Sequence, residues 1–91
     1  MASEAAKLVP PLRYLRGAVG RPIYVKLKDG SEYVGVLRMT DRTMNIVLSD
    51  TAELKNSGQS IAARYGDVFI RGSMILYISF DADKAAPAFT P

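Results

Sequence analysis

Apolar residues recur along this chain with two different periods, and the change between them falls near residue 22. The first set is spaced by four, three and four residues, which places it on one face of a short helix. Its members are Leu8, Leu12, Leu15 and Val19. Pro10 and Pro11 suit the first turn of a helix, and Gly17 or Gly20 suits its end. The pattern therefore predicts a helix within residues 8–20.

After this helix, apolar and polar residues alternate with the period of two that is typical of strands. The predicted strands cover about residues 23–28, 32–39, 45–49, 62–70 and 74–80. Asp29-Gly30 predicts a type I′ hairpin turn, in which both central residues have positive φ. Gly35 lies inside the second strand and predicts a sharp bend there. The polar segment 50–63, DTAELKNSGQSIAA, is interpreted as a surface loop.

One helix and five short strands favour a small, partly open barrel that keeps free strand edges. The fourth and fifth strands are the most apolar, and their nearly continuous apolar run predicts burial on both faces. The run comprises Val68, Phe69, Ile70, Met74, Ile75, Leu76, Tyr77 and Ile78. An exposed edge of this kind invites pairing with another chain. Head-to-tail pairing of two different edges closes into a ring where the rotation fits, so we expect self-association.

The length of 91 residues limits the chain to one domain, which we place at residues 8–81 between flexible tails at 1–7 and 82–91. A core of this size is marginal, and small domains often gain stability by association. The sequence contains no cysteine and no histidine, which excludes disulfides and sites built from thiolate or imidazole ligands. We therefore expect no metal and no cofactor. No spacing of nucleophiles or paired carboxylates indicates an enzyme.

Charge and hydropathy narrow the class of partner. Twelve Lys and Arg against nine Asp and Glu give a net charge of +3, which permits a partner that carries phosphate. No apolar run approaches the ~20 residues of a membrane span, and the N-terminal residues lack the pattern of a signal peptide. We expect a cytoplasmic protein that does not bind membranes.

Two polar turns separate the most apolar strands, and they are the candidates for chemistry. The first, at residues 41–45, contains Asp41, Thr43 and Asn45, and the second contains Arg71-Gly72. Both turns suit ordinary hairpin tips, because Asx residues cap turns with their own side chains. They also suit two halves of one binding site, and the pattern of these residues alone leaves both interpretations open.

In its motifs the chain resembles the Sm-like (LSm) proteins, and most of all the archaeal members. The first Sm motif is matched by Val25, Leu27, Asp29-Gly30, Gly35, Leu37, Asp41, Met44-Asn45, Leu48 and Asp50-Thr51-Ala52-Glu53. The second is matched by Ile70-Arg71-Gly72 followed by Ile75-Leu76-Tyr77-Ile78. The likeness covers about residues 8–80.

This resemblance implies the all-β Sm fold, a short N-terminal helix followed by a strongly bent five-stranded antiparallel open barrel of the SH3-like kind. It also implies a ring, commonly of seven subunits, in which the fourth strand of one subunit pairs with the fifth strand of the next. The family binds single-stranded, U-rich RNA at the inner rim and acts in RNA processing, as a scaffold or chaperone of ribonucleoproteins. We expect a homo-oligomer; the alternative is a protein-interaction ring, or a subunit of a hetero-ring, with weak RNA binding.

The resemblance also assigns roles to the polar turns. Asn45 would bond the edge of a uracil base, and Arg71 would lay its guanidinium plane on that base. Asp41 would brace the turn and orient Asn45. Gly72 would allow a close backbone approach and take positive φ. We expect strand exchange between neighbouring subunits to bring the two turns together.

At two positions the chain departs from the family pattern. Members often carry His, Tyr or Phe at the position of Thr43, so stacking on the base should be one-sided here. Many carry Asp or Asn at the position of Ser73, whose shorter side chain should hold the Arg71 turn less firmly. We therefore expect RNA binding with lower affinity or a looser preference for uridine.

Overall fold

The computed structural model describes residues 11–82, and these residues form one short helix and six strands. The elements are α1 (Pro11–Gly17), β1 (Pro22–Leu27), β2 (Glu32–Thr40), β3 (Ile46–Lys55), β4 (Ser60–Tyr65), β5 (Val68–Ile70) and β6 (Ile75–Ser79). The predicted helix is confirmed from Pro11, which begins it, to Gly17, which ends it. Leu15 is completely buried, whereas Val19 is 47% exposed and does not extend the apolar face as predicted. Leu8 and Pro10 lie outside the described residues.

The strands form one antiparallel sheet in the order β4-β3-β2-β1-β6, and β5 also pairs with β3. The sheet bends around a core that includes Leu15, Ile23, Val25, Leu37 and Leu48, all fully buried. Because β4 and β6 are the two ends of the strand order, the barrel stays open and keeps two edges. The predicted fold class, a short helix on a bent antiparallel barrel, is confirmed.

The turn between β1 and β2 differs from the predicted type I′ hairpin. Within this turn positive φ occurs at Gly30 (95°) and not at Asp29. Gly30 N donates to Leu27 O at 3.0 Å, and Leu27 N donates to Ser31 O at 2.8 Å. These two bonds define a three-residue hairpin loop with glycine in the left-handed position. This is another common form of hairpin, and Asp29-Gly30 is compatible with it.

Gly35 produces the bend that its position in the sequence predicted. A Cβ atom added there would lie 3.0 Å from Ser49 O and 3.1 Å from the Cβ of Leu48. The pairing of β2 with β3 shifts register between Val34 and Val36, on either side of this glycine. The missing side chain therefore lets β3 pass closely where the sheet folds over.

The interpretation of residues 50–63 as a loop was wrong. Residues 50–55 continue β3 and residues 60–63 begin β4, so the connection is a turn of four residues, 56–59. The predicted fourth strand is in turn divided at Gly66–Asp67 into β4 and β5, which gives six strands instead of five. Residues 50–55 were interpreted as a loop because charged residues alternate with the buried Ala52 and Leu54, which gives this part of β3 a polar composition.

One described residue, Ala82, lies beyond the predicted domain of residues 8–81. Ala82, predicted to begin a flexible tail, is 4% exposed and packs with Tyr24, Val34, Ala52 and Leu54. The rest of the predicted tails, 1–7 and 83–91, lies outside the described residues. Among residues 11–82 no helix has the length and apolar character needed to cross a membrane.

One free edge of the sheet is formed by β4 and β5, which both pair with β3, and the other is formed by β6. Both edges expose apolar side chains in the single chain. Phe69 on β5 is 62% exposed, and Leu76 and Tyr77 on β6 are 57% and 51% exposed. The prediction that both faces of these strands are buried is therefore not met by one chain alone. Exposed apolar edges of this kind are sites of strand pairing.

Candidate functional site

The pairing of β3 with β5 brings the two polar turns together within one chain. Ile46 lies opposite Ile70, so the residues that precede β3 and those that follow β5 meet at the same end of the barrel. The expectation that strand exchange between subunits joins the turns was wrong. The candidate site is already assembled in a single subunit.

Asp41 organises the first turn through its carboxylate. Its Oδ1 accepts hydrogen bonds from Thr43 N at 2.9 Å, Thr43 Oγ1 at 2.8 Å and Asn45 N at 3.1 Å. Its Oδ2 accepts one from Asn45 Nδ2 at 3.0 Å. The Thr43 hydroxyl, followed by the Asn45 amide, lowers the pKa of the Asp41 carboxyl below its ordinary value. The brace is therefore ionised at neutral pH, and it is lost only as the pH falls through this lowered pKa.

The carboxamide of Asn45 links the two turns. While Nδ2 donates to Asp41, Oδ1 accepts a hydrogen bond from Gly72 N at 2.8 Å. An amide has two N–H donors and two acceptor lone pairs, so one donor and one acceptor are left for a ligand. The side chain is half-buried, and its partners fix which end of the amide is nitrogen and which is oxygen.

Gly72 packs directly on the backbone of the first turn. An added Cβ would lie 2.0 Å from Thr43 O and 2.8 Å from Met44 C, distances at which no side chain fits. The predicted close approach is thus made to the protein's own backbone. The predicted positive φ was wrong, because residues 72–74 form a short 3₁₀ turn. In the first turn it is Met44 that has positive φ (64°).

The remaining predicted site residues lie at the same end of the barrel. Arg71 is exposed and directly precedes the 3₁₀ turn. Thr43 is exposed, and because its hydroxyl donates its proton to Asp41, it offers a ligand its methyl group and the oxygen lone pairs and no donor. Ser73 is exposed, and among residues 11–82 its hydroxyl makes no hydrogen bond that would hold the Arg71 turn. The six predicted residues are therefore gathered in one place.

Sequence reasoning missed a third turn at this end of the barrel. Lys28 N, in the turn between β1 and β2, donates a hydrogen bond to Met74 O at 2.8 Å. The neighbouring pair Leu27 and Ile75 lie opposite each other in the sheet. Antiparallel pairing of the first strand with the last places the end of β1 beside the start of β6. A prediction of that pairing would therefore have indicated that the two turns are neighbours.

Other candidate sites are distinct from these turns. A groove of about 720 Å³ between α1 and the end of β6 is lined by residues that include Arg13, Tyr14 and Phe80, and by none of the six predicted site residues. Within residues 11–82 no group of acidic side chains is arranged to hold a metal ion.

A family model described as the LSM domain matches residues 13–80 of this chain. The chain is 47% identical over 71 residues to the probable U6 snRNA-associated Sm-like protein LSm6 of Dictyostelium discoideum, covering 78% of each. It is 46% identical over 69 residues to the Sm-like protein LSM6A of Arabidopsis thaliana, covering 76% of this chain and 74% of the relative.

Solved structures of similar fold include those of archaeal Sm proteins. The Sm protein of Pyrococcus abyssii, in complex with a uridine heptamer, superposes with a TM-score of 0.72 at 32% identity, covering 78% of this chain and 97% of that one. The SmAP1 heptamer of Pyrobaculum aerophilum gives a TM-score of 0.69 at 30% identity, covering 78% of this chain and 92% of that one.

Proposed function

The chain belongs to the family of Sm-like proteins that carry an LSM domain, and on this premise we propose that it binds single-stranded, U-rich RNA through its turns at residues 41–45 and 71–73. The observation that carries the proposal is the fixed orientation of the Asn45 carboxamide, held by Asp41 on one side and by Gly72 on the other. The uridine heptamer bound by the Pyrococcus relative supports it.

A fixed carboxamide discriminates between pyrimidine bases. The free lone pair on Oδ1 of Asn45 suits the N3–H donor of uracil, while the free Nδ2–H suits a neighbouring carbonyl of the same base. Cytosine at the same position would place its N3 acceptor against the Oδ1 acceptor. Because Asp41 and Gly72 prevent the amide from turning over, this mismatch is not relieved by a flip of the side chain.

Arg71 supplies the flat surface for the base. Its exposed guanidinium stacks on the face of the uracil, an interaction of about 1–3 kcal/mol per base for aromatic platforms. Thr43 contributes a methyl group to the opposite face, so the stack is one-sided. One base per subunit is therefore held weakly, and affinity builds up through several subunits on one strand.

The test is a titration of fluorescent oligo-U and oligo-C of equal length with the purified protein, followed by fluorescence anisotropy. We expect oligo-U to bind more tightly than oligo-C, and Arg71→Ala to weaken binding of both by about tenfold or more because the stacking surface is removed. Arg16→Ala, which removes an exposed arginine from α1, outside the two turns and both strand edges, is the matched control. Equal weak binding of both oligonucleotides by the wild type would refute the proposal and favour a protein-interaction ring.

The assembly that we propose is a homo-oligomeric ring that needs no second subunit type, because one chain carries both unpaired apolar edges. The β4–β5 edge of one subunit pairs with the β6 edge of the next, which buries Phe69 against Leu76 and Tyr77. Seven subunits are proposed from the heptameric SmAP1 relative.

Charge placed on the apolar edge should prevent this assembly. We expect Leu76→Glu to shift the native mass from a uniform ring to smaller species, because a carboxylate cannot be buried unpaired between strands. Val19→Glu introduces the same charge at an exposed apolar position away from both edges and should leave the ring intact. If native mass spectrometry shows a monomer for the wild type as well, the chain requires another subunit and the hetero-ring alternative holds.

A further inference from the structure

We infer that the groove between α1 and the end of β6 is a docking site for an acidic peptide segment of another protein, a segment that carries an apolar side chain beside its carboxylates. The groove is lined by Arg13 and Tyr14 of α1, by Arg21 before β1, and by Phe80 and Asp81 after β6. None of these residues belongs to the turns at 41–45 and 71–73 or to the apolar edges. The groove is therefore a second site, and its function does not depend on RNA binding.

Backbone hydrogen bonds fix the segment that joins α1 to β1 and with it one wall of the groove. Arg21 N donates to Ala18 O at 2.9 Å, and Leu37 N donates to Arg21 O at 3.0 Å. Gly20 N donates to Leu37 O at 2.7 Å, so β2 holds this segment at two points. The volume of about 720 Å³ is that of a binding site formed before its ligand arrives. Docking there does not require the backbone of this segment to become ordered first.

Two exposed aromatic rings provide the apolar surface of the groove. Tyr14 and Phe80 are both exposed, and their ring centroids lie 6.3 Å apart with the planes inclined at 42°. An exposed apolar surface rimmed by polar groups marks a site of protein interaction. Tyrosine and arginine are also the residue types that most often carry the binding energy at protein interfaces. The groove presents both types side by side.

The charges around the rings select an acidic partner. Arg13 and Arg21 are exposed, and within residues 11–82 neither is ion-paired with a carboxylate. Asp81 is the one carboxylate among the residues that line the groove, so two guanidinium groups against one carboxylate leave it positive. A guanidinium group binds a carboxylate through two parallel hydrogen bonds. A peptide with carboxylates next to an apolar side chain therefore meets the arginines and the rings at the same time.

The same geometry disfavours RNA as the occupant. The two faces of a base are parallel, so rings inclined at 42° cannot both stack on it. A leucine or phenylalanine side chain of a peptide packs against tilted rings without this restriction. The carboxylate of Asp81 would repel a phosphate, whereas it can accept a hydrogen bond from a peptide N–H group.

The experiment measures binding of three short labelled peptides to the assembled protein by fluorescence anisotropy. In the first peptide leucine and phenylalanine alternate with aspartate and glutamate; the second has lysine in place of the acidic residues, and the third has alanine in place of the apolar ones. We expect the first to bind most tightly. Tyr14→Ala and Arg21→Gln should each weaken it by about tenfold or more. Asp81→Asn should strengthen it, because the negative charge of the groove is removed. Arg16→Gln, at an exposed position of α1 that does not line the groove, is the control.

The outcomes separate this site from the RNA site. Loss of the acidic peptide in Tyr14→Ala, with oligo-U affinity and native mass unchanged, supports the docking site. It is overturned if Tyr14→Ala binds the acidic peptide as Arg16→Gln does, if the lysine peptide binds as tightly, or if the wild type binds none of the three. Displacement of the peptide by excess oligo-U would assign the groove to RNA instead, and a changed native mass in Tyr14→Ala would assign it to a subunit contact. A wild type that binds the acidic peptide and no oligo-U would refute the proposed RNA binding and leave the docking site standing.

Discussion

Gly72→Ala is expected to abolish oligo-U binding and to lower the free energy of unfolding by about 3 kcal/mol, at the upper end of the usual cost of overpacking. The added Cβ would lie 2.0 Å from Thr43 O, and the atoms that it meets are backbone atoms, which cannot move aside as a flexible side chain would. The 3₁₀ turn would have to withdraw from the first turn. That movement breaks the bond from Gly72 N to Asn45 and carries Arg71 away from the base.

Gly17→Ala is the matched control for this prediction. A Cβ atom at Gly17 meets nothing within 4 Å, and alanine is the better residue in a helix, so stability should be unchanged or slightly raised. The comparison uses urea denaturation at a fixed protein concentration together with oligo-U anisotropy. Wild-type stability and binding in Gly72→Ala would show that the two turns do not touch in solution.

Periodicity predicted the elements of this fold well where each strand buries a single clear face. Ile23 and Val25 are buried as the alternation predicts and the bend at Gly35 is present, although Tyr24 between them is also buried, in a second cluster. The second half of β3 was missed because Asp50 adopts positive φ (50°) within the strand and because its polar neighbours resemble a loop. A break in regular backbone geometry inside a strand leaves no periodic signal in the sequence.

The candidate site was predictable as a set of residues and not as an arrangement. The turn chemistry of Asp41 and Asn45 could be inferred from residue type, because Asx side chains bond nearby backbone N–H groups. The bond between Asn45 and Gly72 depends on the register that places Ile46 opposite Ile70, which is a tertiary property. The sequence alone suggested positive φ as the reason for glycine at position 72. In the structure the reason is different: the backbone of the first turn lies against Gly72 and leaves no room for a Cβ atom.

Asn45→Asp is expected to lower oligo-U affinity by at least about 100-fold at neutral pH, since each occupied subunit loses about 1–3 kcal/mol of base and turn hydrogen bonding. The substitution keeps the acceptor for Gly72 N but replaces the Nδ2 donor with oxygen. Two carboxylates would then face each other where Asn45 Nδ2 and Asp41 Oδ2 are now 3.0 Å apart. The turn is opened by repulsion, and no donor is left for the carbonyl of the base.

The pH dependence of this variant distinguishes repulsion from the simple removal of a hydrogen-bond donor. Two carboxyls at such a distance share a proton, so one of the pair has a raised pKa. Affinity should therefore recover in part as the pH falls through that raised pKa. Wild-type affinity should stay constant from neutral pH down to the ordinary pKa of aspartate, because the lowered pKa of Asp41 keeps its brace ionised over that range. Asn56→Asp, in the turn between β3 and β4, is the control and should follow the wild type. If affinity of Asn45→Asp is equally low at every pH, the carboxamide acts on the base alone and Asp41 does not position it.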